Sequence, residues 1–207
     1  MLFRSHYRPF VSADPEFFAV PRKYQNTDYI FVINDKRAFG GQFGKWRQVM
    51  EVGKPHTGSV TIRRDAAAVY ELSRGGQVNF KRVDGGISVS LKYATNDGRL
   101  LMLLDSPIGD LRVEAPEQLK LGDEFTVKAE VLDLQGKAVP ALLPVEVRIT
   151  DPKGRRLDGS DFECAVGGKF EKKYFISVND LAGRWKITFK DRASGLTATK
   201  EFTVKEN

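Results

Sequence analysis

The stretch NDGRLLMLLDSPIGDLRVEAP, residues 96 to 116, places two apolar segments on either side of a short breaker. The first segment, LLMLL, ends before Asp105, and Pro107 interrupts the chain before IGDLRV. Proline fixes its own φ and restricts the residue before it. The pattern therefore predicts a closing strand, a hinge and the opening strand of a second unit. LLMLL is far shorter than the roughly 20 apolar residues of a membrane-spanning helix, so we predict no transmembrane segment.

Length and charge support a division at this point. A chain of 207 residues fits two domains of about 100 residues each. Up to Gly109, sixteen Lys and Arg stand against ten Asp and Glu, whereas from Asp110 onward the numbers are seventeen and seventeen. We predict domains at 1–109 and 110–207, and the excess positive charge indicates an anionic partner for the first. The basic residues are scattered singly or in pairs, which favours a solvated face over a nucleic-acid interface.

Apolar and polar residues alternate through the second half of the chain. In EFTVKAEVLD, Phe125, Val127 and Ala129 occupy every second position between polar neighbours. This period predicts half-buried strands, and the turn sequences LQGK, DPKG, VGGK and RASG between them predict an antiparallel sandwich. The predicted strands are 111–115, 124–133, 144–150, 160–166, 169–177, 184–191 and 196–204.

The first half shows the same theme less regularly. YIFVIN and LLMLL are apolar on both faces, as is typical of central strands, and ISVSLKY alternates. The predicted strands are 29–34, 60–64, 68–72, 77–83, 87–93 and 100–104. The first twenty residues or so, with three prolines, are predicted to form an extended lead-in that packs on the first sandwich or comes from a preceding domain. Phe39 to His56 is predicted to form a long loop with at most a short irregular strand.

Residues that carry metal or nucleophilic chemistry are sparse. His6 and His56 are fifty positions apart, and the spacings HxH, CxxC and HExxH do not occur. We therefore predict no metal site and no cofactor. Cys164 alternates with Phe162 and Val166, which indicates a small core residue rather than a nucleophile.

The remaining motifs predict no catalytic site. The glycine clusters FGGQFGKW and SRGGQ lack the spacing of a phosphate-binding loop. Four acids could serve as paired carboxylates in glycoside hydrolysis, but none stands in a distinctive apolar context: Asp28, Asp35, Glu51 and Asp65. Three acids could hold calcium, although an acidic edge loop is the favoured interpretation: Asp158, Asp161 and Glu163. We predict that the chain is not an enzyme.

Aromatic residues offer the one candidate contact site. Trp46, in the glycine-flanked segment FGKWRQ, could stack on a sugar ring, with Tyr24 and Tyr29 behind it. The alternative is that Trp46 packs at the base of the first sandwich. Trp185 alternates with Ile187 and is predicted to lie in the core of the second.

The second half resembles the MG2-type macroglobulin domain, an immunoglobulin-like sandwich found in α2-macroglobulins and bacterial surface proteins. The motifs that carry the resemblance are D-P-x-G at 151–154, G-x-F at 168–170, G-x-W at 183–185 and F-x-V at 202–204. Neither a thioester motif nor a bait region is present, so the resemblance does not imply protease trapping.

The first half is similar to the β-sandwich that follows the catalytic barrel in many glycoside hydrolases. The shared features are V-Y-[DE]-L at 69–72 and D-G-R-L-L at 97–101. This similarity implies the non-catalytic tail of a larger bacterial protein that is exported and carbohydrate-active or surface-bound. The N-terminus lacks the features of a signal peptide, so an extracellular, periplasmic or cell-surface location would depend on the parent chain.

Together these observations predict an all-β protein of two tandem antiparallel β-sandwiches, the second immunoglobulin-like. The predicted function is a non-catalytic accessory pair that spaces or docks other domains of a parent protein or a protein partner. Two alternatives stay open: a carbohydrate-binding module for an acidic polysaccharide, and a glycoside hydrolase with a site between the sandwiches.

Overall fold

A computed structural model describes residues 10–12, 14–25, 27–43 and 49–206. The chain forms two compact units, Met1–Asp105 and Ser106–Asn207. The predicted boundary after Gly109 falls inside a strand, Ile108–Glu114, that belongs wholly to the second unit. In the described part of the chain, every regular element is a β-strand, so the predicted all-β class is confirmed.

The described residues of the first unit form ten strands. In chain order they are β1 (Phe10–Ser12), β2 (Phe17–Tyr24), β3 (Thr27–Asn34), β4 (Arg37–Phe43), β5 (Val49–Gly53), β6 (His56–Ile62), β7 (Ala68–Glu71), β8 (Lys81–Val83), β9 (Gly86–Tyr93) and β10 (Gly98–Leu104).

Two four-stranded antiparallel sheets form the sandwich of the first unit. Their strand orders are β1-β6-β9-β8 and β2-β3-β10-β7. Alternate residues of facing strands meet in a shared core, among them Ile30 and Val32 from one sheet and Ile87 and Val89 from the other. The second face of the β2-β3-β10-β7 sheet is also apolar, since Met102 is fully buried there, which explains why LLMLL shows no alternation.

The described part of the predicted lead-in forms the extended strands β1 and β2, which pair with β6 and β3 of the first sandwich. One expectation for the first unit is wrong. The predicted loop from Phe39 to His56 contains most of a two-stranded hairpin of β4 and β5. Phe39 and Val52 on these strands are exposed. Because these positions of the hairpin are not covered, the segment carries no period-two signal.

The described residues of the second unit form eight strands that belong to one curled sheet. They are β11 (Ile108–Glu114), β12 (Gln118–Lys120), β13 (Glu124–Asp133), β14 (Leu142–Thr150), β15 (Phe162–Val166), β16 (Lys169–Phe175), β17 (Gly183–Asp191) and β18 (Thr197–Lys205). The sheet order is β11-β13-β16-β15-β14-β17-β18-β12. Seven of them match the predicted strands, and β12 was not predicted.

The fold closes into a sandwich at β15. This strand pairs along its length with β14 but meets β16 only at Val166 and Lys169, so the sheet folds over at this turn. The first strand is split, because β11 pairs with β13 on one side and β12 runs parallel to β18 on the other. This arrangement is immunoglobulin-like, as expected.

Trp185 lies at the centre of the second core. Its side chain is 1% exposed, its Nε1 donates to the carbonyl of Leu181 at 2.8 Å, and its ring packs near Phe202. Gly168 permits the tight turn between β15 and β16: its φ is 75°, and a Cβ there would lie 2.6 Å from the carbonyl oxygen of Val139. The predicted core role of Trp185 follows directly from the alternation of β17.

Candidate functional site

The predicted sugar-contacting residues do not form one described surface. Trp46 lies outside the described residues. Tyr29 is only 9% exposed, because it sits on the apolar second face of β3, and this burial argues against its ring stacking on a sugar. Tyr24, at the end of β2, is half-buried. The glycan contact at Trp46 and Tyr24 stays a prediction.

His56 and Asp14 form a hydrogen-bonded pair of the kind that acts as a general base in some enzymes. Nε2 of His56 lies 2.6 Å from Oδ2 of Asp14, and Nδ1 of His56 lies 3.2 Å from Nζ of Lys36. Because the Lys36 ammonium group can only donate, Nδ1 of His56 accepts its hydrogen bond, and the N–H at Nε2 donates a hydrogen bond to Asp14. Burial alone would raise the pKa of Asp14, but hydrogen bonds from the Glu16 N–H and from His56 lower it below its usual 3.8. Both ring nitrogens are thus used internally, and the other histidine, His6, lies outside the described residues.

All four acids considered for glycoside hydrolysis are bound to arginines. Asp28 is 1% exposed and binds Arg64, which also binds Asp105 at the end of β10. Asp35 and Glu51 are exposed and share Arg37. These distances and partners tie strands and turns together. They do not create two facing carboxylates in an apolar cleft.

The fourth acid, Asp65, also forms a structural ion pair. It binds Arg82 on the surface, and this hydrogen bond lowers the pKa of Asp65. Glu71, which is buried at 3% exposure, accepts hydrogen bonds from the backbone N–H groups of Ser73 and Arg74. The buried carboxylate therefore holds the turn after β7.

Two buried carboxylates of the second unit cap turns. Asp191 is fully buried and accepts from the backbone N–H of Ala193 and from both the N–H and Oγ–H of Ser194. Asp151 accepts from the backbone N–H groups of Lys153 and Arg155 and binds the Arg155 guanidinium at 2.6 Å. These bonds explain why the turn sequences RASG and DPKG could be found from the sequence.

Of the three acids that could hold calcium, Glu163 is bound to a lysine instead. Glu163 binds Lys172 of β16, and Asp161 accepts a hydrogen bond from the neighbouring Phe162 N–H. Among the described residues, no group of three His, Cys, Asp or Glu side chains is arranged to hold a metal ion. The same part of the chain has no helix with the length and apolar character needed to span a membrane.

Cys164 is not a core residue, and this prediction is wrong. On β15 the buried position is Ala165, whereas Cys164 and its alternating neighbours Phe162 and Val166 are exposed. A strand with apolar residues at both alternating sets gives no register from sequence, and a one-residue shift exchanges the faces. Partial burial, followed by the nearby Glu163 charge, raises the pKa of the Cys164 thiol.

The outer faces of the second sandwich differ in charge. A shallow cavity of about 350 Å³ lies over β11, β13 and β16. Charged residues of both signs line it, and ion pairs join Lys128 to Glu171 and Lys169 to Glu130, each at 3.5 Å. The other outer face, over β14, β17 and β18, is predominantly basic. Sequence alone could locate this basic face, because its lysines alternate with the core residues of β17.

Comparisons with known proteins give a distant likeness. No family model and no curated protein matches the chain. Trypsin-activated α2-macroglobulin from Escherichia coli is 15% identical over 86% of this chain, with a TM-score of 0.40, and the chain spans 15% of that protein. A DUF4785 family protein from Legionella pneumophila is 12% identical over 91% of this chain and 71% of its own, with a TM-score of 0.34. Red sea bream transglutaminase is 10% identical over 94% of this chain and 32% of its own, with a TM-score of 0.32. These values do not assign the chain to a family.

Proposed function

We propose that the chain is a pair of non-catalytic β-sandwich modules that space or dock other domains of a parent protein, or bind a protein partner. The observation that supports this proposal is that the buried carboxylates of the described residues all form structural contacts. Asp28, Glu71, Asp151 and Asp191 are the buried acids among the described residues, and each binds an arginine or the N–H groups of a turn. A general acid or base needs a carboxyl group that faces its substrate.

The other groups capable of chemistry support the same function. His56 has both ring nitrogens bonded within the first unit. Cys164 is accessible, but its raised pKa keeps the thiol protonated, whereas a nucleophilic cysteine needs a lowered pKa. Sandwiches whose buried carboxylates are all bound internally are suited to holding neighbouring domains at fixed positions.

The resemblance of the sequence to macroglobulin and glycoside-hydrolase accessory domains extends the proposal. It suggests that the parent protein is bacterial and exported, and that it is either carbohydrate-active or a surface protein. In that setting the modules would lie outside the cytoplasm, and the catalytic residues would belong to another part of the parent protein.

Hydrolysis provides the direct test. The purified chain is incubated with a broad panel of chromogenic glycosides and of acidic polysaccharides, and released chromophore and reducing ends are measured. We expect rates equal to a buffer blank. Turnover that disappears in Asp28→Asn or Glu51→Gln, with the fold retained by circular dichroism, would favour the glycoside hydrolase alternative and overturn the proposal.

The carbohydrate-binding alternative has a specific observation in its favour. The first unit carries the net positive charge of the chain, and Lys81 and Arg82 project from β8, where all three residues are exposed. Retention of the chain on an acidic polysaccharide gel without hydrolysis would support binding and leave the non-catalytic proposal intact. The variant Trp46→Ala tests whether the predicted sugar contact contributes.

A further inference from the structure

The second unit has a basic outer face, defined by residues that point away from its core. On β17, Trp185, Ile187 and Phe189 are buried, so the alternating residues between them point outward. With β14, β18 and β12, this face presents six cations: Lys120, Arg148, Arg184, Lys186, Lys190 and Lys205. The acids on it are Glu146 and Glu201, which pair in register with Lys190 and Lys186.

Both acids of the basic face form ion pairs with arginines. Arg148 binds Glu146 at 2.8 Å, and Arg184 lies 3.5 Å from Glu201. Lys186 and Lys190 form no ion pair with the described residues within 4.0 Å. They lie four residues apart on β17, a separation of about 13 Å along the strand. Two lysines in the middle of the face are therefore available to an external anion.

The opposite outer face shows that this arrangement is not a consequence of overall composition. The second unit is neutral, yet over β11, β13 and β16 the cations alternate with acids and pair with them. Lys128, Lys169 and Lys173 each lie 3.5 Å from a glutamate. Charged residues of this unit are thus distributed unequally between the two described outer faces. Only on the basic face do cations outnumber acids, so that an external anion could bind there.

Hydroxyl groups accompany the lysines on the basic face. Thr188 pairs across the strands with Thr199, and Lys190 pairs with Thr197. Threonine hydroxyls can donate to carboxylate or sulfate oxygens beside an ammonium group. The pattern provides charge and hydrogen-bond donors in rows along the strands of one outer face, which matches a linear polymer with regularly spaced anionic groups.

The same two strands disfavour other polyanions. The outward residues of β17 and β18 include no aromatic side chain, and the exposed Phe162 of β15, opposite Glu146, adds one ring to this outer face. Single-stranded nucleic acids are held largely by stacking of successive bases on several aromatic rings. The outward residues of β17 and β18 also include no large apolar side chain that could enter the interface of a lipid bilayer.

From these observations we infer that the basic face of the second unit binds an anionic polysaccharide, carboxylated or sulfated. Lys186 and Lys190 pair with its anionic groups, and the adjacent threonines donate hydrogen bonds. This site differs from the predicted contact at Trp46 and lies on the unit whose net charge is zero. It adds a ligand to the spacing and docking function and does not depend on that function.

Paired charge-neutralising variants test the site. The complete chain is applied to immobilised heparin, which is sulfated, and to immobilised polygalacturonate, which is carboxylated, and eluted with salt. We expect retention on at least one polymer, and an affinity at least tenfold lower for the double variant Lys186→Gln/Lys190→Gln. The matched control Lys128→Gln/Lys169→Gln changes net charge equally on the opposite face and should stay within twofold of the parent chain.

Each outcome decides the inference. Selective loss in the first variant supports it, and the polymer retained identifies the anionic group. No retention on either gel, or equal loss in both variants, would overturn it. Tighter binding to a single-stranded oligonucleotide or to phosphatidylserine vesicles at the same salt would replace the polysaccharide with another partner. Thermal unfolding of both variants confirms that any loss comes from the surface, and hydrolysis in the glycoside test would overturn only the non-catalytic proposal.

Discussion

The two sandwiches place their cations differently. In the first unit, which carries the net positive charge, two arginines occupy partly buried positions: Arg64 and Arg99 are 19% and 16% exposed and bind Asp28 and Glu71 on other strands. In the second unit, which is neutral, the lysines and arginines remain outside and sort by face, while buried aspartates cap turns. The net charge of a unit therefore does not show on which of its faces the cations lack an acidic partner.

The largest expected effect is loss of a buried ion pair in the first unit. Arg64→Met removes the cation bound to Asp28, a carboxylate that is 1% exposed, and we expect the free energy of unfolding to fall by about 3 kcal/mol. Urea unfolding measures the change. The control Arg82→Met breaks an exposed pair with Asp65 and should leave stability nearly unchanged. Equal effects would show that burial of Asp28 is irrelevant.

Removing the turn cap at Asp191 in the second unit should lower the free energy of unfolding somewhat less than Arg64→Met. Asp191→Ala removes three acceptor contacts from a fully buried side chain, leaving the N–H groups of Ala193 and Ser194 without this partner. We expect a loss of about 2 kcal/mol in unfolding free energy. Asp161→Ala, at an exposed position bonded to its own neighbour, serves as the control. If both variants have parent stability, the cap contributes nothing.

Acid should destabilise both units through carboxylates with lowered pKa. For Asp151, burial raises the pKa, but the Arg155 guanidinium and backbone N–H groups lower it overall. A lowered folded-state pKa means that the contribution of Asp151 is complete above the unfolded value, about 4, and is lost as pH falls through the folded one. Asp151→Asn should flatten the fall in stability below about pH 4, measured by thermal unfolding across pH, and Asp14→Asn should act likewise in the first unit. A profile as steep as that of the parent chain would contradict this.

The smallest effect concerns the corrected position of Cys164. Because the thiol is exposed but has a raised pKa, it should react with maleimide in the folded chain, more slowly than free cysteine. Glu163→Gln removes a nearby negative charge and should speed the reaction severalfold at pH 7.5. Protection until the chain unfolds would instead restore the core position that the sequence predicted.

The sequence was most informative where one face of each strand is apolar. Trp185, Ile187 and Phe189 alternate with polar residues, so the strand, its inward face and its basic outer face could all be read from the sequence. On β15 both alternating sets contain apolar residues, and only the three-dimensional fold distinguishes Ala165 from Cys164. The hairpin of β4 and β5 gave no signal because its described side chains, such as Phe39, are exposed.

The ion pairs lay beyond sequence reasoning for a different reason. Arg64 is 36 residues from Asp28 and 41 from Asp105, and nothing local indicates that the three meet. The same limit applies to the basic face, where the charges could be listed from the sequence but their pairing across strands depends on register. Counting charges by segment shows an excess of cations in the first unit, but it does not show that Lys186 and Lys190 of the neutral second unit lack an ion pair with any described residue.

Backbone chemical shifts of the labelled chain give the most direct measurement of this contrast between faces. Titration of ¹⁵N-labelled protein with a sulfated or carboxylated oligosaccharide should move the amide signals of β17 and β18, centred on Lys186, Thr188 and Lys190. Signals of β11, β13 and β16 should stay in place. Shifts concentrated on the paired face or on the first unit, or no shifts at millimolar oligosaccharide, would contradict the account.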